Sequence, residues 1–243
     1  MVHILSKNAS KLQVVGTLEW GANSISADQQ SIYVTSAGDW GSGIAYVQQI
    51  SHNGTQMARY EEEGKFFISP VLAPDGYLFY VCIDMTENHS EIVAFDTVSL
   101  QVRYRFGRTR LRIAQGMVLV GNELFVCDLG NNSIQVFSVA GEFRRSIMGE
   151  WERPHLLCFA QDRLYLVERA SRHTEHNQQG NRILVMSLQG ALLQVYAHPE
   201  ALHFKSLCSF DGRLLASYTF PTESPSEMPV DGVVGGLMAL SGL

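Results

Sequence analysis

Five arginines fall within residues 103–112, RYRFGRTRLR. Arg103 and Arg105 alternate with Tyr104 and Phe106, and Arg108, Arg110 and Arg112 follow after Gly107. Guanidinium forks bind carboxylates and phosphates, and nearby aromatic rings stack on bases. The segment therefore fits an acidic protein surface or a nucleic-acid backbone. It equally fits a solvated strand edge whose charges block pairing with another chain. Lys and Arg number 18 against 24 Asp and Glu, a net charge of −6, which weighs against a chain built as a whole to coat nucleic acid.

Other residues carry possible chemistry less sharply. WERPHL places Trp151 and His155 together, and His155 suits a polar ligand contact, a base, or a hydrogen-bonded interior position. His173, Glu175 and His176 are three potential zinc ligands within four residues, with no fourth at a recognisable spacing. Asp84, Asp128 and Glu168 occupy equivalent positions along the chain, with Asp39 in the corresponding loop upstream. Converging carboxylates suit calcium, but repetition alone also explains them. There is no G-x-S-x-G elbow and no P-loop. The four cysteines, Cys82, Cys127, Cys158 and Cys208, form no C-x-x-C pair. Cys158 and Cys208 each precede an equivalent apolar residue, Tyr165 and Leu215, by seven positions. They read as a disulfide or metal pair, or more simply as small apolar side chains in a reduced compartment.

These residues sit within a repeat. Runs of Val, Ile, Leu, Phe and Tyr are broken by Gly, Asn and Asp, which is strand chemistry with turns between. Labelling four strands per unit a to d, the b-strands are residues 31–35, 77–82, 123–127, 163–167 and 213–217. Their shared column holds Tyr33, Phe79, Phe125, Tyr165 and Leu215, at spacings of 46, 46, 40 and 50 residues. The a-strands are 24–27, 67–73, 114–120, 155–160 and 206–210. The c-strands are 44–50, 91–95, 133–139, 182–188 and 236–240, and d-strands end near Tyr60, Phe106, Met148 and Ala197. Tandem four-stranded antiparallel units of roughly 40 to 45 residues predict a β-propeller. One blade cannot bury both its faces, whereas stacked blades can.

The expectation is an all-β propeller of about five four-stranded blades in a single domain, residues 1–243. Blades span 21–64, 65–107, 108–150, 151–198 and 199–243. Residues 1–20 read as a c–d hairpin whose second strand closes the last blade. A six-bladed or truncated ring is the alternative.

The copy GNELFVCDLGNNSIQVFSVAGEFRRSIMG, residues 121–149, resembles the NHL repeat. In that family a strand ends in Asp, then come an Asn and a basic residue, a strand ending in an aromatic, and a Gly turn. Asp128, Asn131, Ile134, Val136, Phe137 and Gly141 fit, with Ser133 where a basic residue is usual. The next copy keeps Asn181, Arg182, Ile183 and Val185, with Glu168 in place of Asp. The resemblance implies that Asp128 and Asn131 set a turn. It also implies RNA or protein binding, the usual work of NHL propellers. Similar six-bladed propellers include calcium-dependent lactonases and esterases and an amidating lyase.

In this strand order the b–c and d–a connections share one face. The b–c loops are long, at 36–43 with Trp40, 84–90, 170–181 and 220–235, and long loops on a rigid scaffold favour binding. The expected function is a non-enzymatic module binding a protein through this face. The candidate residues are Trp40, Arg108, Arg110, Arg112, Trp151 and His155. No catalytic residue, metal ligand or cofactor is assigned. A metal-dependent lactonase or esterase at the channel and an RNA-binding propeller are the alternatives, the latter disfavoured by net acidity. No stretch approaches the roughly 20 apolar residues of a membrane span, and the N-terminus has no apolar h-region. A membrane partner is therefore not expected, and a cytoplasmic location is.

Overall fold

Alternating apolar runs and glycine turns become strands throughout the computed structural model. It describes residues 2–8, 11–18, 22–36, 43–84, 86–87, 89–168, 182–197, 203–210, 213–219 and 235–240. These hold 21 strands and no helix. An N-terminal hairpin pairs β1 (Val2–Asn8) with β2 (Lys11–Leu18). The next sheet is β3 (Ala22–Ala27), β4 (Ser31–Ser36), β5 (Ile44–Ser51) and β6 (Gln56–Glu63). A second follows as β7 (Lys65–Leu72), β8 (Tyr77–Asp84), β9 (His89–Asp96) and β10 (Val102–Phe106). The third is β11 (Ala114–Val120), β12 (Glu123–Asp128), β13 (Ser133–Ser138) and β14 (Phe143–Ile147). The fourth is β15 (Pro154–Ala160), β16 (Arg163–Glu168), β17 (Arg182–Met186) and β18 (Leu192–Ala197). The last has three strands, β19 (His203–Phe210), β20 (Arg213–Thr219) and β21 (Gly235–Leu240).

Each sheet is an antiparallel meander in chain order, and each a-, b-, c- and d-strand expected after residue 20 is present. The b-strands run further than the apolar runs suggest, because Asp84, Asp128 and Glu168 are their last residues. The c-strands end earlier at Ser138 and Met186, because the turn takes the following residues. One bulged turn recurs three times. Gly54, Gly141 and Gly190 donate their amides to Ser51, Ser138 and Ser187, at 2.9, 2.9 and 3.0 Å. Their φ values of 91°, 87° and 89° are open to glycine and strained for other residues.

The chain divides into two compact units, residues 1–114 and 115–243. In the first, Tyr33, Ala45 and Val47 of one sheet pack on Leu78, Tyr80, Cys82, Val93 and Phe95 of the next. Phe67, Tyr80 and Phe95 meet edge to face at 5.9–6.2 Å between centroids. Arg105 ties these sheets at their outer strands, reaching Glu62 on β6 at 2.5 Å and Glu91 on β9 at 2.7 Å. In the second unit the fourth sheet is buried on both faces. Leu164, Leu166, Leu184 and Met186 meet Phe125, Cys127, Ile134 and Val136. Tyr165, Val167, Ile183 and Val185 on its other face meet Leu214 and Ala216. This two-sided burial explains why b- and c-strands read as near-continuous apolar runs.

Candidate interaction surface

The basic segment begins on β10, where Arg103 and Arg105 are committed to the fold. Arg103 pairs with Asp96 at 2.6 Å, and Arg105 holds the two sheets together. Tyr104 and Phe106 lie half-buried, edge-on to Phe79 at 6.4 Å. They are packed rings rather than a platform offered to bases.

Beyond Gly107 the chain makes a tight crossing. The amides of Arg110 and Leu111 both donate to the Gly107 carbonyl at 2.9 Å. Leu111 is fully buried and pins the crossing. Buried Ser90, at the start of β9, hooks it from below. Its hydroxyl donates to the Arg112 carbonyl at 2.9 Å and accepts the Ala114 amide at 2.9 Å. The result is a fixed loop that leaves Arg108, Arg110 and Arg112 exposed.

Arg108 pairs with Glu87 of the β8–β9 loop and lies 3.9 Å from Asp84. Lys65 reaches the same Asp84 carboxylate at 2.5 Å. Lys65 and Arg108 thus meet the Asp84 and Glu87 carboxylates where a b–c loop touches a d–a crossing, the shared face expected from strand order. Lys65, Glu87 and Ser90 escaped the sequence reading. Only their positions at strand ends flanking the crossing signal them.

The repeated strand-end carboxylates serve the fold. Asp84 accepts the Thr86 and Glu87 amides at 2.9 and 3.1 Å, besides Lys65. Asp128 accepts Asn131 Nδ2 at 2.6 Å, the turn expected of that pair. Glu168 accepts Arg182 Nε at 2.6 Å and the Glu152 amide at 2.8 Å. Among the described residues no group of three or more His, Cys, Asp or Glu could hold a metal ion. His173, Glu175 and His176 lie outside the described residues, as do Trp40 and most of the loops at 170–181 and 220–235.

The Lys65 contact first, then Thr86 and Glu87, holds the Asp84 carboxyl well below the usual carboxylate range. Arg103, then Ser99, does the same for Asp96. A carboxyl whose folded pKa is depressed contributes stability above its unfolded value, about 4, and loses that contribution as pH falls. The melting temperature is therefore expected to hold from neutrality to about pH 5 and to fall below about pH 4. An Asp84→Asn variant should show a shallower acid decline. An identical decline in both proteins would show that Asp84 does not contribute to it.

Trp151 is not a surface contact. It is 4% exposed, inside the cluster of Phe125, Ile147, Leu157 and Leu166. Its ring lies over Gly149, where an added Cβ would sit 1.8 Å from Cζ3. A missing side chain two residues upstream gives the indole its seat. The surrounding crossing is fixed by Asn132 in the β12–β13 turn. Its Nδ2 donates to the Trp151 carbonyl at 3.1 Å, and its Oδ1 accepts the Arg153 amide at 2.6 Å. His155 is half-buried on β15, with its carbonyl against Gly116 of β11. It thus lies at a junction between two sheets, in the second unit. The three arginines lie in the first.

Cys158 and Cys208 occupy one repeat column but do not face each other. On β15, Cys158 and Ala160 enter the cluster shared with the last sheet, while Leu157 enters the opposite one. On β19, Phe204 and Leu207 enter that shared cluster, so exposed Cys208 lies on the far face. Both are free thiols. Burial pushes the Cys158 thiol up to about 12, well away from a reactive thiolate.

No protein-family model and no curated protein matches the chain. Solved structures do. Virginiamycin B lyase from Staphylococcus aureus matches at a TM-score of 0.60 and 12% identity, over 90% of this chain and 69% of that one. A chain of a nidogen/laminin complex matches at 0.57 and 17%, over 79% and 68%. Kuenenia stuttgartiensis hydrazine synthase matches at 0.63 and 13%, over 86% of this chain but 58% of its own. The fold is a β-propeller of about five blades. Identity this low carries fold alone, and propeller blades serve binding and catalysis alike.

Proposed function

We propose that this propeller is a non-enzymatic, NHL-like interaction module that takes a protein partner on its long-loop face. The observation that carries the reading is the Gly107–Ala114 crossing, which presents Arg108, Arg110 and Arg112 on a loop pinned by Leu111 and Ser90. A rigid loop loses little further entropy on binding, so its charges contribute affinity at low ordering cost. The matching partner surface is acidic. Glu87 already occupies Arg108 as such a surface would, in an exposed pair worth little and easily exchanged. The packed state of Tyr104 and Phe106 disfavours RNA, and the hydrogen bonds held by Asp84, Asp128 and Glu168 disfavour a hydrolytic metal site. The nidogen/laminin complex, one of the structures similar in fold, is a protein assembly, which supports the reading by analogy only.

The test replaces Arg108, Arg110 and Arg112 with glutamate in the full chain. Capture of protein partners from lysate is expected to fall at least about tenfold, a change of roughly 1.4 kcal/mol. The melting temperature should stay within about 2 °C, since exposed charges contribute little to stability. Unchanged capture would sink the proposal. Capture of RNA with a steep salt dependence would favour the nucleic-acid reading. About one tightly held divalent ion per chain by elemental mass spectrometry would favour the hydrolase.

A further inference from the structure

Outer strands are the exposed edges of propeller blades, and three of the four that complete the four-stranded sheets are guarded by charge. β6 carries Arg59, Glu61, Glu62 and Glu63, β10 carries Arg103 and Arg105, and β14 carries Arg144 and Arg145. β18 reads LLQVYA and carries none. Leu192, Leu193 and Val195 are 47%, 52% and 46% exposed, so this apolar strand stands in solvent. β18 is the last strand of its sheet, and among the described residues its ladder runs to β17 alone. Tyr196 packs on the cluster shared with the following sheet, whereas Val195 and Leu192 stand opposite Leu184 and Met186, on the other face.

We propose that the outer edge of β18 accepts an extended, uncharged segment of a partner protein as a fifth strand. The surface is separate from the arginine crossing, and the proposal stands without it. Edge geometry selects the occupant, because a row of unpaired N–H and C=O groups is satisfied in register only by another strand. Charge selects its composition. A segment bearing charges would have to dehydrate them against Leu193 and Val195, with no opposite charge on β18 to compensate. Area decides against a second copy of this chain. Three half-exposed side chains fall far short of the roughly 1,200 Å² that a stable interface between folded proteins buries. An added strand instead draws its affinity from main-chain hydrogen bonds along the edge, with alternate side chains setting specificity.

The probe is a fluorescein-labelled hexapeptide of alternating valine and threonine, titrated into the full chain. Expected are saturable anisotropy and at least a tenfold slowing of exchange at β18 amides that point away from β17. The same peptide with alternate N-methylated amides should bind at least tenfold more weakly, as should one with glutamate for threonine. Val195→Lys should weaken binding tenfold with the melting temperature unchanged, because the site is exposed. Absence of saturable binding, equal binding of the N-methylated peptide, or indifference to Val195→Lys would overturn the proposal. So would a wild-type dimer in sedimentation that Val195→Lys turns monomeric, which would make a second copy the occupant.

Discussion

Glu168→Ala is expected to lower the stability of the chain by about 3 kcal/mol, the lower end of what breaking a buried ion pair costs. Glu168 is 1% exposed and ends β16. Its carboxylate accepts Arg182 Nε at 2.6 Å, Arg182 Nη2 at 2.9 Å and the Glu152 amide at 2.8 Å. Alanine leaves that amide without its partner and a guanidinium with both forks empty. The Arg182 side chain is 37% exposed and can recover water, which keeps the loss at the lower end. The melting temperature should fall by roughly 6–12 °C for a domain of this size. Glu168→Gln retains an oxygen for the Glu152 amide and should lose less than half as much. Urea unfolding with an unchanged slope would show that the folded state, not the unfolded one, is affected. A loss below about 1 kcal/mol would mean that the pair is screened like a surface one.

Gly116→Ala should be about as damaging, for a reason unrelated to charge. An added Cβ on β11 would lie 2.7 Å from the His155 carbonyl oxygen and 2.8 Å from the Leu157 amide nitrogen. Both are backbone atoms of β15, so no rotamer change relieves the overlap. Overpacking of this kind costs up to about 3 kcal/mol and occasionally more. Gly121→Ala is the control. Gly121 has φ of 59° and no neighbour within 4 Å of the added carbon. Only its left-handed backbone resists the change, at about 1 kcal/mol. Equal losses at the two glycines, measured by denaturant titration, would refute the close approach of β11 and β15.

Strand order was legible because burial is nearly two-sided. β12 and β13 are buried at nearly every position, so their sequences are apolar runs that only a stack of sheets can use. The carboxylates that finish β8, β12 and β16 were placed in turns, because an acid after an apolar run signals its end. Their burial depends on partners elsewhere in the chain, and Arg182 stands 14 residues from Glu168. Glu168 and Arg182 form one cross-strand pair, and the equivalent Asp128 stands opposite Ser133. Trp151 misled because a tryptophan in a polar crossing reads as exposed, while the space above Gly149 that receives it is a property of the folded turn. The exposure of β18 was illegible for the converse reason. LLQV resembles any interior strand, and nothing within it signals that it is the outermost strand of its sheet. Among the arginines, the strand end near Phe106 sets the crossing trio apart from Arg105, but nothing in 103–112 reveals the partner of Arg105, Glu62, which lies 43 residues away.

Asn132, Ser90 and the recurring serine–glycine turns act over short stretches of chain, and each described ladder joins strands that follow one another directly. A chain wired this way can complete each sheet as soon as that stretch leaves the ribosome, without waiting for distant sequence. The same wiring makes the d-to-a crossing a tolerant point for genetic recombination. Gain or loss of one whole sheet there cuts no hydrogen bond within any other sheet and alters only the two faces that meet it.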